Sequence, residues 1–214
     1  MPVFRSNAAY QRRAGGLSDN QKQVIANSPY LDSQLSDPLI TLIQNNQTDL
    51  EIGFGTGDYL ISQAQEHQNS LQIGIDLYLL GIASTLQRIQ QLKLTNAYIL
   101  HQDAFDFLTT SQPQISFSSI RIYHPDPWPK KRHHKRRLLH CNSLHGAFSL
   151  LKPEGKIEIL SDDPSYTEAI ADLIGTCFST NQVTTAYHVA AKTKYGYKAI
   201  AAGRSITQFV IHRR

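Results

Sequence analysis

An α/β domain organised on a mostly parallel sheet is the fold this sequence predicts, and three observations lead there. Short apolar runs of strand length alternate with longer segments whose apolar residues recur at helical spacing. A glycine-rich turn, Gly53-Phe54-Gly55-Thr56-Gly57, joins the first run to the segment behind it. Acids close three successive strand-like runs, where open α/β sheets receive ligands.

Residues 1–20 are polar, contain Gly15-Gly16 and lack periodicity, so they are expected to form a mobile basic tail ahead of a single domain over 21–214. Strands are expected near 48–54 (TDLEIGF), 70–77 (SLQIGIDL), 96–103 (NAYILHQD), 117–124 (FSSIRIYH) and 155–162 (GKIEILSD). Between them 57–68, 79–93 and 137–151 carry helical spacing, as in Leu79, Ile82, Leu86 and Ile89. Asp163-Pro164 opens a further helix over 164–178, with proline in its first turn. Two last strands, 183–190 and 205–212, are expected to pair as an antiparallel edge hairpin across a long polar loop. The sum is a seven-stranded sheet with helices on both faces.

At 214 residues, 41% hydrophobic and 18% charged, the chain suits one soluble domain with a full core. No apolar run reaches the ~18–20 residues that span a bilayer, and the N-terminus has no apolar stretch of signal-peptide type. No membrane association and a cytoplasmic location are expected. Cys141 and Cys177 lack CxxC spacing and are expected to be reduced thiols rather than a disulfide or metal framework. The net charge of +4 favours a polyanionic partner, and six of the 21 basic side chains crowd into 130–137. An isolated run of that kind reads equally as a solvated loop.

A dinucleotide loop of GxGxxG spacing aims a helix N-terminus at a pyrophosphate. Here the glycines alternate as GxGxG behind Glu51, which suits a cationic or amino-bearing ligand. Asp76 closes the second strand, where an acid can accept from ribose hydroxyls. Asp103 closes the third, where one can accept from an adenine amino group. Either acid alone reads as a helix N-cap.

"LEIGFGTG", "IGID" and "HQDA", in this order, resemble S-adenosylmethionine-dependent methyltransferases of the Rossmann-like class. The resemblance implies that Glu51 and Gly53 lie near the methionine end, Asp76 at the ribose, and Asp103 with Ala104 at the adenine. "PDPWPKKRHHKRR" (125–137) further resembles the signature of bacterial tRNA (guanine-N7-)-methyltransferases, as do "QRRAGGLSDNQ", "LSDD" and "TKYGYKAIAAG". That family transfers the methyl group to N7 of a guanine in tRNA, by resemblance the variable-loop guanine, and leaves S-adenosylhomocysteine without using a metal.

Guanine N7 has an in-plane lone pair and no proton, so transfer needs alignment rather than a general base. Asp126, held between Pro125 and Pro127, is the candidate catalytic carboxylate, stabilising the charge the purine gains while bordering the cofactor. The resemblance implies substrate contacts from Lys130, Asp162, Thr193, Lys194 and Tyr195. Lys131, Arg132, Lys135, Arg136 and Arg137 are expected on the RNA backbone. Trp128 reads as a base-stacking ring or, preferred, as a core ring on the sheet. His133 and His134, adjacent and without acids at ligand spacing, are not expected to bind metal.

Three positions depart from the pattern: His124 stands where the family has Phe, Gly16 where its tail has Arg, and Gly196 where it has Glu, a carboxylate expected at the guanine. The alternatives are therefore a same-fold methyltransferase with another RNA base or a small molecule as acceptor, and a non-catalytic RNA-binding relative. No obligate protein partner is evident, and a monomer or homodimer is expected.

Overall fold

A computed structural model describes residues 16–179, 183–187 and 193–213, the segment 183–187 by its backbone alone. The strands are β1 (Leu31–Asp32), β2 (Gln47–Ile52), β3 (Ser70–Ile75), β4 (Ala97–Leu100), β5 (Phe117–Tyr123), β6 (Leu151–Ser161), β7 (Val183–Tyr187) and β8 (Thr207–His212). They form one sheet in the order β1-β4-β3-β2-β5-β6-β8-β7. All neighbours pair in parallel except β8, which runs antiparallel to both β6 and β7. The expected edge hairpin is present, and the seven expected strands gain an eighth, the two-residue β1 beside β4.

After β4 the chain returns to the far side of β2 to lay down β5. Strand order therefore reverses between β2 and β5, which opens a crevice at the carboxyl ends of these two strands. Their register sets Ile52 beside Ile122, so the loops that follow emerge side by side.

Four expected helices are present: α3 (Asp58–Glu66), α4 (Leu79–Gln91), α6 (Cys141–Ser149) and α7 (Pro164–Cys177). Four more were not legible: α1 (Asp19–Asn27), α2 (Asp37–Asn45), α5 (Ala104–Thr109) and α8 (Lys194–Ala201). Each spans nine residues or fewer, too little for periodicity to stand out, yet each opens on a short polar N-cap. Ser18 and Gln21 make a reciprocal capping box on α1; Ser36, Asp103 and Thr193 cap α2, α5 and α8. α8 replaces part of the long loop expected before the last strand. Residues 1–15 of the expected tail lie outside the described residues, and α1 already begins at Asp19.

The two faces of the sheet differ. On one, Leu50, Ile52, Ile73, Ile75, Ile120, Ile122, Ile157 and Ile159 join α2, α5, α6 and α7 in the main core. Alternation puts Asp49, Glu51, Arg121 and Glu158 on the other face, with Glu51, Arg121 and Glu158 in one row across β2, β5 and β6. Arg121 is 8% exposed, and its guanidinium lies 2.9 Å from Asp49 and 3.7 Å from Glu158 and donates to Gln72 Oε1 at 3.1 Å. Beside this charged strip, α3 and α4 bury Phe54, Leu60, Ile61, Ile82, Leu86 and Ile89.

Contrary to expectation, Cys141 and Cys177 are disulfide-bonded, with Cα atoms 5.9 Å apart. The pairing joins the first residue of α6 to the last of α7, a proximity that 36 residues of sequence separation conceal. Closing that loop constrains the unfolded chain by about 3–4 kcal/mol. A phosphine reductant is therefore expected to lower Tm by about 10 °C, and Cys141→Ser to remove the sensitivity. Superimposable melts with and without reductant would show that the bridge contributes nothing.

Candidate active site

The first wall of the crevice is the loop leaving β2. Gly53 and Gly55 hold φ of +72° and +59°, and the space where a Cβ would stand is open at both. The loop is tied to the next strand: Gly53 N–H donates to the Ile75 carbonyl at 2.8 Å and Gly55 N–H to Asp76 Oδ2 at 2.8 Å. Behind it, Gly81 of α4 lets that helix approach, because a Cβ there would lie 1.9 Å from the Gly55 carbonyl oxygen. Gly81 carries no spacing signal and was not singled out from sequence.

The three strand-end carboxylates are Glu51, Asp76 and Asp103, and of these Asp76 is bonded directly to the loop. Glu51 is buried, and its Oε2 has no hydrogen-bond partner among the described residues. Burial pushes its pKa up to about 8 against the opposing pull of Arg121, while Asp76 and Asp58 add to the rise. Asp76 accepts from Gly55 N–H on one oxygen and from Tyr78 N–H at 2.9 Å on the other. Desolvation still raises its pKa, because the backbone donors of Tyr78, Gly55 and Leu77 do not replace full hydration. Asp103 is the N-cap of α5, accepting from Phe105 and Asp106 N–H through Oδ1, with Ala104 as the first helical residue. The N-cap alternative for Asp103 is thus realised in this structure.

His101 belongs to the same wall and was missed. Its Nε2 is buried without a partner among the described residues, and burial lowers its pKa against the attraction of Asp76. The signal was present: His101 sits one residue beyond β4, the position type that marked the acids.

The opposite wall is the loop leaving β5, bracketed by two residues in the left-handed region, His124 at φ +49° and Trp128 at φ +44°. For side chains of this size such backbone costs roughly 1–3 kcal/mol at each position, so the loop must be held from outside. It is pinned at both ends. His124 N–H donates to the Leu160 carbonyl at 2.8 Å, and Arg137 Nε donates to the Pro127 carbonyl at 2.8 Å. Between these pins, Pro125-Asp126-Pro127 presents Asp126, whose side chain keeps an exposed edge while desolvation raises its pKa.

The basic run folds as a 3-10 helix, Lys131–Arg136, with Lys130 as its exposed N-cap. Lys131, Arg132 and Lys135 are exposed, whereas the Arg136 guanidinium stacks 5.0 Å from the centre of the Trp128 ring. Two expectations need correction. Arg137, expected on the RNA backbone, is buried, with its guanidinium 4.4 Å from the centre of the Tyr166 ring; an arginine that holds the Pro127 carbonyl cannot also reach a phosphate. Trp128 packs on the 3-10 helix, edge-on to His133 at 5.9 Å, not on the sheet.

Asp162, just beyond β6, faces the same loop. His124 Nδ1 lies 2.7 Å from its Oδ1, and Arg204 Nε donates to its Oδ2 at 2.8 Å. Nearby α8 projects Lys194 and Tyr195 outward, with the Tyr195 ring 6.4 Å from that of His124. Thr193 is buried, and its hydroxyl accepts from Gly196 N–H at 2.9 Å. Its role in the free protein is to start α8. Among the described residues no group of three or more His, Cys, Asp or Glu side chains is placed to hold a metal ion, and no helix is long and apolar enough to cross a membrane.

A methyltransferase family model matches residues 45–209. A tRNA (guanine-N(7)-)-methyltransferase of Corynebacterium diphtheriae is 34% identical over 80% of this chain and 72% of its own length. One from Nitrosococcus oceani is 34% identical over 84% of this chain and 78% of its own. Among solved structures, an antibiotic-related methyltransferase superposes with a TM-score of 0.60 at 20% identity, covering 85% of this chain and 96% of that one. That last likeness concerns the fold.

Because the Gly81 Cα faces the Gly55 carbonyl, Gly81→Ala must displace the whole glycine loop. Overpacking of this kind costs about 1–3 kcal/mol, and the variant is expected to melt lower and lose ligand affinity at Glu51. Gly175→Ala, where nothing lies within 4 Å of an added Cβ, is the control and should melt no lower. Equal stability of Gly81→Ala and its parent, by thermal melt, would contradict the close approach.

Proposed function

The chain belongs to the tRNA (guanine-N(7)-)-methyltransferase family, and from that premise we propose how its residues transfer a methyl group from S-adenosylmethionine to N7 of a guanine in tRNA. The observation that carries the proposal is the pairing of β2 with β5, which sets a ligand cradle beside a loop presenting a rigid carboxylate. The bound donor supplies an electrophilic methyl group on a sulfonium.

The cradle's chemistry fits that donor. Glu51, with an unpartnered buried oxygen, receives its ammonium, and the open Cβ positions at Gly53 and Gly55 admit its chain. The carboxylate of Asp76 accepts from the backbone N–H groups of Gly55, Tyr78 and Leu77 and keeps acceptor capacity beyond them, which suits a ribose hydroxyl. Asp103 and Ala104, with His101 beside them, border the base. On the other wall, Asp126 faces the purine as its imidazole ring gains charge, and the bracketed loop fixes that carboxylate before the substrate arrives. Guanine N7 needs no base, so the protein's work is alignment and charge stabilisation.

The acceptor is a large polyanion, and the surface around the site matches it. Lys130, Lys131, Arg132 and Lys135 line one side, with Arg136 on Trp128 behind them. On the other side α8 presents Lys194, Tyr195 and Lys198, and no Asp or Glu follows Asp172 in the sequence. These cations bind phosphates, and the exposed Tyr195 ring stacks on a base. We propose the variable-loop guanine as the methylated base.

Labelled S-adenosylmethionine offered with tRNA transcripts should place the label on N7 of the variable-loop guanine. Label on a transcript lacking that guanine would overturn the choice of base. Asp126→Asn is expected to lower kcat about a hundredfold with little change in cofactor affinity.

Glu51 adds a pH dependence. An ammonium is received by the ionised carboxylate, and the free protein holds the proton up to about pH 8. Binding of S-adenosylhomocysteine should therefore release a proton and weaken by up to about tenfold per pH unit below that point. The sign for stability follows. The folded protein binds this proton more tightly than the unfolded chain does, so ligand-free stability falls as pH rises from 4.5 towards 8. Titration calorimetry in two buffers tests this, and Glu51→Gln should flatten the profile; a parent affinity independent of pH would refute it.

A further inference from the structure

Two of the departures from the family pattern, His124 and Gly196, meet at one place. The His124 ring lies 6.4 Å from that of Tyr195, the neighbour of Gly196. The His124 side chain is 4% exposed, and its Nδ1 is 2.7 Å from Asp162 Oδ1. A carboxylate accepts, so Nδ1 carries the proton. Phenylalanine at this position could not make that bond. On the other side, Arg204 Nε donates to Asp162 Oδ2 at 2.8 Å. Asp162 is thus gripped through both oxygens, by elements that precede and follow it by about forty residues.

A carboxylate offers about four lone-pair sites. One on each oxygen is taken, which leaves two acceptors side by side. That is the complement of a guanine edge, whose N1–H and N2–H donors point the same way. At position 196 a glycine offers no carboxylate. Its N–H is committed to Thr193 Oγ1, so its backbone donor also stays within α8.

We infer that His124 and Arg204 form a positioning clamp that orients Asp162 as a double acceptor for the guanine amino edge, supplying base discrimination for which position 196 has no side chain. The inference rests on the proposed acceptor and assigns it a specificity device. His124 acts through Asp162 and does not touch the purine. A histidine also suits the site better than a larger ring would, because at φ +49° the left-handed backbone favours His and Asn.

The test uses the full-length protein and two tRNA transcripts carrying guanosine or inosine at the methylated position. Inosine keeps N7 and N1–H but lacks the 2-amino donor. The parent protein should prefer guanosine by about tenfold or more in kcat/KM, since a site built for a donor rejects the analogue without it. His124→Phe should bring that ratio close to one through a higher KM for the guanosine tRNA, with kcat and S-adenosylhomocysteine affinity nearly unchanged. His124→Asn, whose side-chain N–H can replace Nδ1–H, should retain the preference. Arg204→Gln, at a half-exposed position that folding tolerates, should lower it and decides the matter alone if His124→Phe does not fold. An unchanged ratio in Arg204→Gln and His124→Phe, or loss of it as complete in His124→Asn as in His124→Phe, overturns the clamp. A parent protein that methylates both transcripts at N7 equally well also overturns it while leaving the methyltransferase reading intact. One that methylates neither overturns both.

Discussion

Parallel pairing of β2 with β5 is the constraint on which the rest depends. It places Ile52 beside Ile122 in the centre of the sheet, and both chains leave their strands at the same level. The glycine loop and the Pro125-Asp126-Pro127 loop, seventy residues apart in sequence, become two walls of one crevice. The pairing is secured from both faces. Isoleucines from five strands fill the main core on one side, and Arg121 is buried against Asp49 and Glu158 on the other. Removing one partner of such a buried set costs about 3–5 kcal/mol, because the remaining charge is left uncompensated. The cluster thus ties β2, β5 and β6 into one register just below the two loops.

Above this floor, the same residue type is set to different tasks by its surroundings. Glu51, buried with one oxygen unmatched, holds its proton up to about pH 8. Asp76 and Asp103 are anchored by backbone N–H groups. Asp162 is held by a histidine and an arginine. Basic residues divide in the same manner. Lys131, Arg132 and Lys135 face outward, Arg136 covers Trp128, and Arg137 turns inward to hold the Pro127 carbonyl. One charged run therefore contains both an exposed cationic surface and the brace that keeps a strained loop in place.

Much of this was legible without coordinates. The alternation of runs identified the sheet, and the three strand-end acids with the alternating glycines marked the proposed cradle, since each rests on local spacing that the backbone period enforces. The opening of each hidden helix was also written locally, in Ser18, Ser36, Asp103 and Thr193, but in elements too short for an apolar face to show. Other features had no local signature. Gly81 matters because of where Gly55 lies, and Cys141 because of where Cys177 lies. His101 had the strand-end position, but only its burial shows that a ring nitrogen is left unmatched.

Sequence by itself determined the kind of sheet, the glycine loop with its strand-end acids, the presented carboxylate Asp126 and the excess of cations beside it, because each is a pattern of neighbours along the chain. Tertiary structure alone decided which members of that pattern are free to act. It turned Arg137 from a surface cation into a buried brace and took Trp128 off the sheet onto the 3-10 helix. It also joined the two cysteines and brought His124, Asp162 and Arg204 within hydrogen-bonding distance. The physical reason is common to all of these. Burial and hydrogen-bond geometry depend on contacts between residues distant in sequence, and the spacing of residues along the chain does not encode those distances.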